Sequence, residues 1–495
     1  MDLLDIQRRV KIESLSDDYS GNFIGINYDS RKVRPGDLFV AIRGEIVDGH
    51  AFLDEAKRKG AVAACVENPE GCRIPYMVVE DTRAALASLS ALFYSDPSKE
   101  LKVVGIVGTK GKTSVAWILG HILKTANRKC AVMGTLGLRK QNGDVIDFNL
   151  TTPPSLEIQR EMRNLVNEGY DSIVLEVTAH GIHLKRVHDV HFDTGIFTNI
   201  GQDHLDFFGW DDYIATKRRF FEILSLSKVK KGLAVLNGDD DYFGSFVVAS
   251  HDKYLSYALE NQADVKLDPR NSDGSYDMNT PEGRIRFKPK LAGQFNLYNY
   301  MAAAAGALTL GVSLDVIANG LTSFKGVPGR YQRVEHKGDF HVFVDYAHNP
   351  QSVEAILLDA KKAGFSRVLA IVGCGGDRDR DKRSKMGRIA RDLADEIIIT
   401  SDNPRSEDPM RIIDEIVRGV KESDEEHPYH VEPDREKAIS LGVSMLQHND
   451  ALFILGKGHE DYQILSTGKI HFDDAEIAGK YIDRRLRLEN QVTDS

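Results

Sequence analysis

One segment limits the fold of this chain more than any other: an apolar run that leads into a glycine-rich turn and then into a helical pattern. Residues 102–107 read KVVGIV, long enough for a buried strand, and GTKGKT follows with Gly108 and Gly111. Apolar residues then recur at helical spacing over residues 115–123, so a helix is predicted to begin near Thr113. A strand, a tight turn and a helix in this order are typical of α/β proteins.

The turn itself predicts an anion site. Backbone N–H groups point outward at the start of a helix, where the helix dipole also favours negative charge. Lys112 can reach the terminal phosphates of a nucleotide, and the Thr113 hydroxyl can bind Mg²⁺. The loop is shorter than the common phosphate-binding loop, because Ile106 stands where that pattern has its first glycine. Nucleotide binding is predicted, while kinase, GTPase and ligase activities stay open.

Strands and helices also alternate in the rest of the chain. Near the start, GDLFVAIRG and AVAACVE predict strands and AFLDEAKRKG predicts a helix. Towards the end, FHVFVDY, RVLAIVG, EIIITSD and ALFILGKG predict strands of a largely parallel sheet covered by helices. The links PSKE and FKGVPGR, together with the length of 495 residues, predict three domains at 1–100, 101–330 and 331–495.

Composition excludes several classes of protein. The net charge of −10 argues against bulk nucleic-acid binding but leaves anionic small substrates open. The four cysteines are scattered, so we expect neither disulfides nor a zinc site. No apolar run approaches the length that spans a bilayer, and the start lacks a secretory signal. We expect a cytoplasmic protein.

Two strand ends and one helix carry further polar candidates. SIVLEVTAHG ends an apolar run at Glu176, and TGIFTNIGQDHLDFFG delivers Asp203, His204 and Asp206 to a loop. Because open α/β sheets bind ligands at the carboxyl ends of their strands, Glu176 and His204 are candidate Mg²⁺ ligands near the phosphates. Lys217 lies in the helical segment DDYIATKRRFFEIL, where a lysine taken alone is ordinarily a surface residue.

An ordered set of motifs resembles the Mur ligase family, and within it the type that makes UDP-N-acetylmuramoyl tripeptides. The motifs are YDSRKVRPGDLFVAIRG, GTKGKT, TTPPSLEIQ, LEVTAHG, NIGQDHLDFFG, YIATKRRFF, GQFNLYN, PGRYQRV, VDYAHNP, GCGGDRD, SDNPRSEDP and GKGHEDYQ. The resemblance covers essentially the whole chain. It implies an α/β, three-domain Mur ligase architecture: an N-terminal domain for the UDP-MurNAc substrate, a central P-loop-type ATPase domain and a Rossmann-like C-terminal domain.

The resemblance implies an ATP- and Mg²⁺-dependent ligase of peptidoglycan precursor synthesis. The carboxylate of UDP-MurNAc-L-Ala-D-Glu would attack the γ-phosphate of ATP, and the amine of meso-diaminopimelate would then displace phosphate from the acyl phosphate. In the family, the lysine that matches Lys217 is carbamylated and helps to hold Mg²⁺ with the histidine that matches His204. Glu176 and Thr113 match the other metal ligands. With Lys112, three of these residues (Glu176, His204 and Lys217) form the implied catalytic set.

The resemblance also implies binding residues by position. The ATP contacts would be Gly108, Thr109, Lys110, Gly111, Lys112, Thr113, Ser114, Asn299, Arg330, Asp345 and Asn349. The contacts of the UDP-MurNAc-dipeptide would be Ser30, Arg31, Thr151, Thr152, Thr178 and Arg186. Two positions depart from the usual family pattern: Lys110 stands where asparagine is more common, and Ala179 replaces a hydroxyl residue.

A last group of residues is implied to bind the incoming amino acid. These are Arg378, Asn403, Arg405, Gly456 and Glu460, all predicted to follow strands of the C-terminal sheet. Meso-diaminopimelate differs from L-lysine by a carboxylate at its far end, which Arg405 can bind bidentately, while Glu460 can accept from the distal ammonium. Lysine would leave Arg405 unpaired. The sequence DNPR is also the family's pattern for diaminopimelate.

Some alternatives stay open. The same ligase could add L-lysine or another diamino acid, or the chain could be a ligase like folylpolyglutamate synthetase, which shares the contracted loop. A non-catalytic ATP-binding protein is the alternative from a different class. We expect only small-molecule substrates, with no nucleic acid and no membrane insertion, and a monomer.

Overall fold

The computed structural model describes residues 3–44, 47–201, 207–291, 293–422 and 427–493. The chain divides into two compact units, one of Met1–Pro289 with Leu297–Phe324 and the other of Lys290–Asn296 with Lys325–Ser495. The first unit contains a five-stranded and an eleven-stranded sheet, and the second contains a six-stranded sheet and a small hairpin. Within the described ranges, no helix is both long enough and apolar enough to cross a membrane.

The first sheet lies near the N-terminus. Its elements are α1 (Leu3–Arg9), β1 (Ile12–Leu15), β2 (Gly25–Asn27), β3 (Asp37–Val40), α2 (Leu53–Arg58), β4 (Ala63–Val66), β5 (Tyr76–Val79) and α3 (Thr82–Phe93). The strand order is β1-β5-β4-β3-β2, with β2 to β5 parallel and β1 antiparallel to β5. The two predicted strands are confirmed as β3 and β4, and the predicted helix as α2.

The second sheet forms the middle of the chain, in the order β16-β15-β14-β13-β12-β11-β6-β10-β7-β8-β9. Its strands and helices are β6 (Lys102–Val107), α4 (Lys112–Thr125), β7 (Cys130–Gly134), β8 (Gly137–Arg139), β9 (Val145–Ile146), α5 (Ser155–Asn167), β10 (Ser172–Val177), α6 (Ala179–His183), β11 (Thr194–Phe197), α7 (Trp210–Leu226), β12 (Leu233–Asn237), α8 (Phe243–Ala249), β13 (Tyr254–Ala258), β14 (Val265–Leu267), β15 (Tyr276–Thr280), β16 (Gly283–Phe287), α9 (Gln294–Thr309) and α10 (Leu314–Ser323).

The middle of this second sheet is parallel and buried on both faces. Strands β7, β10, β6, β11, β12, β13 and β14 run parallel, and antiparallel strands extend the sheet at both ends. Every residue of β10 and β11 is buried, which explains their continuous apolar sequences. The strand–turn–helix prediction is confirmed, with α4 beginning at Lys112, one residue before the expected start.

The third sheet lies in the second unit. Its elements are β17 (Gln332–Arg333), β18 (His341–Asp345), α11 (Pro350–Lys362), β19 (Val368–Val372), α12 (Asp381–Leu393), β20 (Glu396–Ile399), α13 (Pro409–Val420), β21 (Tyr429–Val431), α14 (Arg435–Met445), β22 (Ala451–Leu455), β23 (Tyr462–Leu465), β24 (Gly468–His471) and α15 (Asp474–Thr493). The order is β17-β18-β22-β19-β20-β21, parallel from β18 to β21, with β23 and β24 as the separate hairpin. One hydrophobic core includes residues of α11, α12 and α13, and another includes residues of α14 and α15.

All four strands predicted for this sheet are confirmed as β18, β19, β20 and β22. Because these strands are parallel, their carboxyl ends meet at one edge, where the loops that carry the candidate residues begin. The predicted domain boundary at residue 100 lies inside the first compact unit, between its two sheets. The three domain ranges stay a prediction.

Candidate active site

The glycine-rich loop between β6 and α4 has a backbone that only glycine fits at two positions. Gly108 has φ 158° and Gly111 has φ 85°, both in the region that disfavours side chains. A Cβ on Gly108 would lie 1.8 Å from Thr198 Oγ1, and a Cβ on Gly111 would lie 2.6 Å from Asn299 Oδ1. The Thr198 hydroxyl also donates to the Lys110 carbonyl at 2.7 Å, which holds the loop against β11. The predicted ATP residue Asn299 therefore faces this loop.

The side chain of Lys112, the first residue after the glycine-rich loop, folds back onto that loop. Its Nζ donates to the carbonyl oxygens of Gly108 and Thr109, each at 2.9 Å. The ammonium is thus held where the loop backbone turns, beside the N-terminus of α4. A cation and a helix N-terminus in one place suit the terminal phosphates of a nucleotide. Ser114, in the first turn of α4, is buried.

Glu176 lies directly against the start of α4. The carboxylate is buried, with 2% of the residue exposed, and its Oε2 accepts from Thr113 Oγ1 at 2.8 Å. Thr135 donates its backbone N–H to Oε1 at 2.9 Å and its hydroxyl to Oε2 at 3.2 Å. A Cβ on Gly134 would lie 2.0 Å from Oε1, so this neighbour has to be glycine. The structure brings two of the predicted metal ligands together.

These oxygen donors fit a magnesium ion. Mg²⁺ prefers carboxylate, hydroxyl and phosphate oxygens, and Thr113 and Glu176 offer a hydroxyl and a carboxylate within hydrogen-bonding distance of each other. Among the described residues, no three histidine, cysteine or acidic side chains form a cluster able to hold a metal. Asp203, His204 and Asp206 lie outside the described residues, so the metal-binding role of His204 stays a prediction.

Lys217 is buried in the interior, although its helix taken alone suggests a surface residue. Only 1% of the residue is exposed. Its Nζ donates to Tyr213 Oη at 2.5 Å and to Thr109 Oγ1 at 3.1 Å, and it lies 3.9 Å from the centroid of the Tyr213 ring. The Thr109 hydroxyl in turn contacts the carbonyl of Gly201 at 3.2 Å. Helix α7 therefore places Lys217 in contact with the glycine-rich loop.

A cluster of threonines lies near the carboxyl end of β10. Thr152 Oγ1 donates to the backbone carbonyl of Glu176 at 2.8 Å and accepts from the Thr178 N–H at 3.0 Å. The Arg186 Nη1 donates to the Thr152 carbonyl at 2.8 Å, and burial lowers the pKa of Arg186. The Thr151 hydroxyl lies 3.2 Å from that of Thr135. The residues predicted to contact the dipeptide thus lie close to Glu176.

Arg186 also lines a cavity that reaches the first sheet. The cavity has a volume of about 710 Å³, and Ser30, Arg31 and Arg186 are among its lining residues. Ser30 Oγ donates to Glu55 at 2.7 Å, and Arg31 makes two bonds of 2.9 Å to Asp29. Of the residues predicted to contact the UDP-linked substrate, this cavity joins Ser30 and Arg31 to Arg186.

In the second unit, Asp345 ends β18. Its carboxylate accepts from the N–H groups of Tyr331 at 2.6 Å and Ala347 at 2.8 Å, and burial raises its pKa. The Arg330 guanidinium lies 4.7 Å from the centroid of the Tyr346 ring.

Asn349, the third nucleotide residue predicted in this unit, starts α11. Its side chain accepts from the Ser352 N–H at 2.9 Å, as a helix cap does. Asn349 therefore has a structural role besides the one predicted.

The residues predicted for the amino acid meet at the carboxyl edge of the third sheet. Asn403 is buried and donates to Glu460 Oε2 at 2.8 Å. Arg405 Nη1 donates to the Gly376 carbonyl at 2.7 Å, and its N–H donates to the Ile464 carbonyl at 3.1 Å.

Arg405 also has φ 53°, an uncommon backbone conformation for a residue with a side chain. A Cβ on Gly375 would lie 3.8 Å from Arg378 Cγ and 2.8 Å from Arg405 Nη1, which places both arginines around this glycine. Gly456, with φ 117°, leaves room for the Asp402 carboxylate, whose Oδ2 would lie 2.6 Å from a Cβ there.

The sequence reasoning missed Lys457 in this group. Its side chain is fully buried and contacts both Asn403 and Glu460. A lysine between two glycines reads as a loop residue. The signal was its position directly after β22, at the same sheet edge as the other candidates.

Models of known families match most of the chain. The Mur ligase middle domain matches residues 106–307, the Mur ligase glutamate ligase domain matches 329–458, and the Mur ligase family catalytic domain matches 22–94.

Individual proteins similar to this chain are also named as ligases. A Bacillus velezensis protein named UDP-N-acetylmuramoyl-L-alanyl-D-glutamate–2,6-diaminopimelate ligase is 39% identical, over 94% of this chain and 96% of that protein. A Syntrophomonas wolfei protein of the same name is 37% identical, over 98% of this chain and all of that protein. A solved structure titled as this ligase has a TM-score of 0.72 at 29% identity and covers 98% of this chain and 99% of that one.

Proposed function

Because this chain belongs to the Mur ligase family, we propose that it is the ATP-dependent ligase that joins meso-2,6-diaminopimelate to UDP-N-acetylmuramoyl-L-alanyl-D-glutamate. The observation that carries the proposal is the set at the start of α4. There a buried carboxylate, Glu176, meets the Thr113 hydroxyl beside the ammonium of Lys112. The names of the relatives support the choice of substrates.

The reaction follows from what these groups can hold. The γ-carboxylate of the D-glutamate residue attacks the γ-phosphorus of ATP, which forms an acyl phosphate and releases ADP. The neutral amine of diaminopimelate then attacks the acyl carbon, phosphate leaves, and the amine loses its proton as the amide forms. The first step brings two anions together, so Lys112 and the N–H groups of α4 serve to offset their repulsion.

We assign Thr113, Glu176, His204 and Lys217, as its carbamate, to the binding of Mg²⁺. When bound, Mg²⁺ would neutralise charge on the phosphates and the developing charge on the transferred group. Tyr213 and Thr109 fix the position of Lys217, and Thr135 fixes the carboxylate of Glu176. The protein thus orients its ligands through buried hydrogen bonds before any substrate arrives.

The cavity of about 710 Å³ that Ser30, Arg31 and Arg186 line supports a site for the UDP-linked substrate. We place the uridine end near Ser30 and Arg31 and the muramoyl-dipeptide near Arg186, Thr152 and Thr178. This arrangement supports the proposal because Thr152 also bonds the backbone of Glu176 at 2.8 Å. We therefore place the D-glutamate carboxylate of the substrate next to the glycine-rich loop.

For the amino acid, we assign the distal carboxylate to Arg405 and the distal ammonium to Glu460. Arg378, Asn403 and Gly456 complete that site, while Arg330, Asp345 and Asn349 are assigned to the nucleotide. An amino-acid panel tests the assignment: with ATP and UDP-MurNAc-L-Ala-D-Glu, meso-diaminopimelate should give product and release phosphate far faster than L-lysine. Equal use of both would contradict the choice of amino acid, and no product with any diamino acid would contradict the reaction.

We also propose that the enzyme is a cytoplasmic monomer. ATP and UDP-linked sugars are cytoplasmic metabolites, which supports that location. Light scattering on the purified protein measures the mass in solution, and a dimer mass across a dilution series would contradict the monomer.

A further inference from the structure

A buried lysine lies beneath the residues assigned to the amino acid. The side chain of Lys457 is 0% exposed, and its Nζ donates to Glu460 Oε2 at 3.2 Å and to the carbonyl of Tyr462. It also lies 3.5 Å from Asn403 Oδ1. A buried ammonium is unfavourable unless it is paired, so its pairing here links Lys457 to the charge of the site.

The contacts within this group converge on one of the two oxygens of Glu460. Both the Lys457 ammonium and the Asn403 amide donate to Oε2, at 3.2 Å and 2.8 Å. Among the residues that the structure describes, both of these bonds go to Oε2, which leaves Oε1 to accept from a ligand. Asn403 is itself fixed, because its Oδ1 accepts from the Ile464 N–H at 2.8 Å. Lys457 and Asn403 together hold the Glu460 carboxylate in one orientation.

Charged groups of both signs surround Glu460. Glu460 and Asp402 are both close enough to act electrostatically on Tyr346 and on Arg435. Arg435 is already paired with Asp474 at 2.7 Å. Without Lys457, Glu460 would keep the bond from the Asn403 amide but lose the ammonium that pairs with its carboxylate, so a ligand ammonium would be attracted more strongly whether or not the ligand carried a distal carboxylate.

We propose that Lys457 is a positioning residue that sets the preference for diaminopimelate over L-lysine. It does so by offsetting the charge of Glu460, so that binding depends on the distal carboxylate at Arg405. The inference rests on the proposed function, since it concerns the amino-acid site of that reaction.

The test compares kcat/KM for meso-diaminopimelate and L-lysine in wild-type enzyme and in Lys457→Met and Lys457→Gln. Both variants remove the charge, and Lys457→Gln keeps a hydrogen-bond donor for the Tyr462 carbonyl. We expect the ratio of the two kcat/KM values to fall about tenfold in each, chiefly through a lower KM for lysine. Lys457→Arg keeps the charge and should retain most of the ratio.

Two controls separate this role from a merely structural one. Lys437→Met removes an exposed lysine from the same unit and should leave the ratio unchanged. In a Glu460→Gln background, adding Lys457→Met should change the ratio much less than it does in wild type, because the charge that Lys457 offsets is already gone. An equal effect in both backgrounds would overturn the proposal.

The remaining outcomes distinguish the inference from the function beneath it. If wild-type enzyme shows no preference for diaminopimelate, the proposed substrate is wrong. If wild type prefers diaminopimelate but Lys457→Gln keeps the full ratio, the substrate stands and the role of Lys457 is wrong.

Discussion

Lys217 is the residue whose chemistry depends most on its position. We predict that Lys217→Ala loses most ligase activity, because the carbamate assigned to Mg²⁺ binding is gone. A short carboxylic acid added to the buffer should restore part of the activity by supplying the missing anion. The measurement is phosphate release with and without acetate or propionate. The matched control is Lys228→Ala, a replacement in the exposed turn after α7, and wild-type activity in Lys217→Ala would show that the carbamate is not needed.

Arg405 carries the second prediction for a single side chain. Arg405→Ala should weaken the use of diaminopimelate far more than the use of lysine, because only diaminopimelate has a carboxylate for the guanidinium. An unpaired charge in a closed site costs roughly 2–5 kcal/mol, so the wild-type discrimination should be about 30-fold to several thousand-fold. Values of kcat/KM for both amino acids measure it. An unchanged ratio in the mutant would mean that another group binds the distal carboxylate.

At this scale, sequence patterns predict chemistry where the residue type is unusual for its place. Gly108, Gly111 and Glu176 could be predicted because glycines in a turn and a carboxylate ending an apolar strand are both informative. Lys217 needed the family resemblance, since the helical pattern alone does not reveal which of the basic residues Lys217, Arg218 and Arg219 turns inward. The position of Lys457 after β22 places it at the sheet edge, but its burial against Asn403 and Glu460 could not be predicted, because these residues become its neighbours only when the loops after β20 and β22 come together.

Helix α11 allows the two roles of Asn349 to be separated. Asn349→Ala should remove the helix cap at a cost of about 1 kcal/mol and, on the proposed function, should also raise the KM for ATP. Asn349→Ser keeps a capping oxygen, so it should keep the thermal stability while still raising that KM. Thermal melting and ATP titrations measure the two effects. A normal KM in Asn349→Ser would leave Asn349 as a cap alone.

Helix α12 is fixed by an ion pair that gives a pH-dependent prediction. The buried Arg383 guanidinium donates to both carboxylate oxygens of Glu407 and lowers the pKa of Glu407 to about 2. A lowered pKa adds stability above the pKa of the unfolded state, about 4.3, and this stability is lost as the pH falls towards 2.

We therefore expect Glu407→Gln to lower the melting temperature by several degrees near pH 7 and by much less near pH 3. Calorimetry of both proteins across this range measures the difference. A constant difference would show that the pair adds no ionic stabilisation, and Glu422→Gln, at an exposed pair with Arg388, serves as the control.

Elements buried on both faces were the most predictable part of the fold. The apolar runs of β6, β10, β18, β19, β20 and β22 predict buried strands, and for the last four the alternation with helical segments also predicts a parallel sheet. The outer strands β15, β16 and β24 are short, partly exposed and contain charged residues. Such strands are specified by pairing with neighbours, which a local pattern does not contain.

For the whole molecule, the products of the reaction separate the proposed ligase from other ATP-dependent enzymes. A loop and metal set directed at the terminal phosphates predicts ADP and phosphate, one of each per peptide bond, with no AMP or pyrophosphate. The release of ADP and phosphate should also require the UDP-linked dipeptide and the amino acid together. Nucleotide analysis of complete and incomplete mixtures measures both, and AMP as the stoichiometric product would exclude the acyl-phosphate route.

The left-handed backbone at Arg405 has a consequence for how this protein can change over generations. Asparagine adopts φ near 53° more easily than arginine does, so an Arg405→Asn substitution would relieve strain in the folded chain while it removes the group assigned to recognition. Selection for higher stability and selection for higher substrate selectivity therefore act in opposite directions at this one position. A lineage released from the need to discriminate would drift away from arginine here, gaining robustness as it lost selectivity.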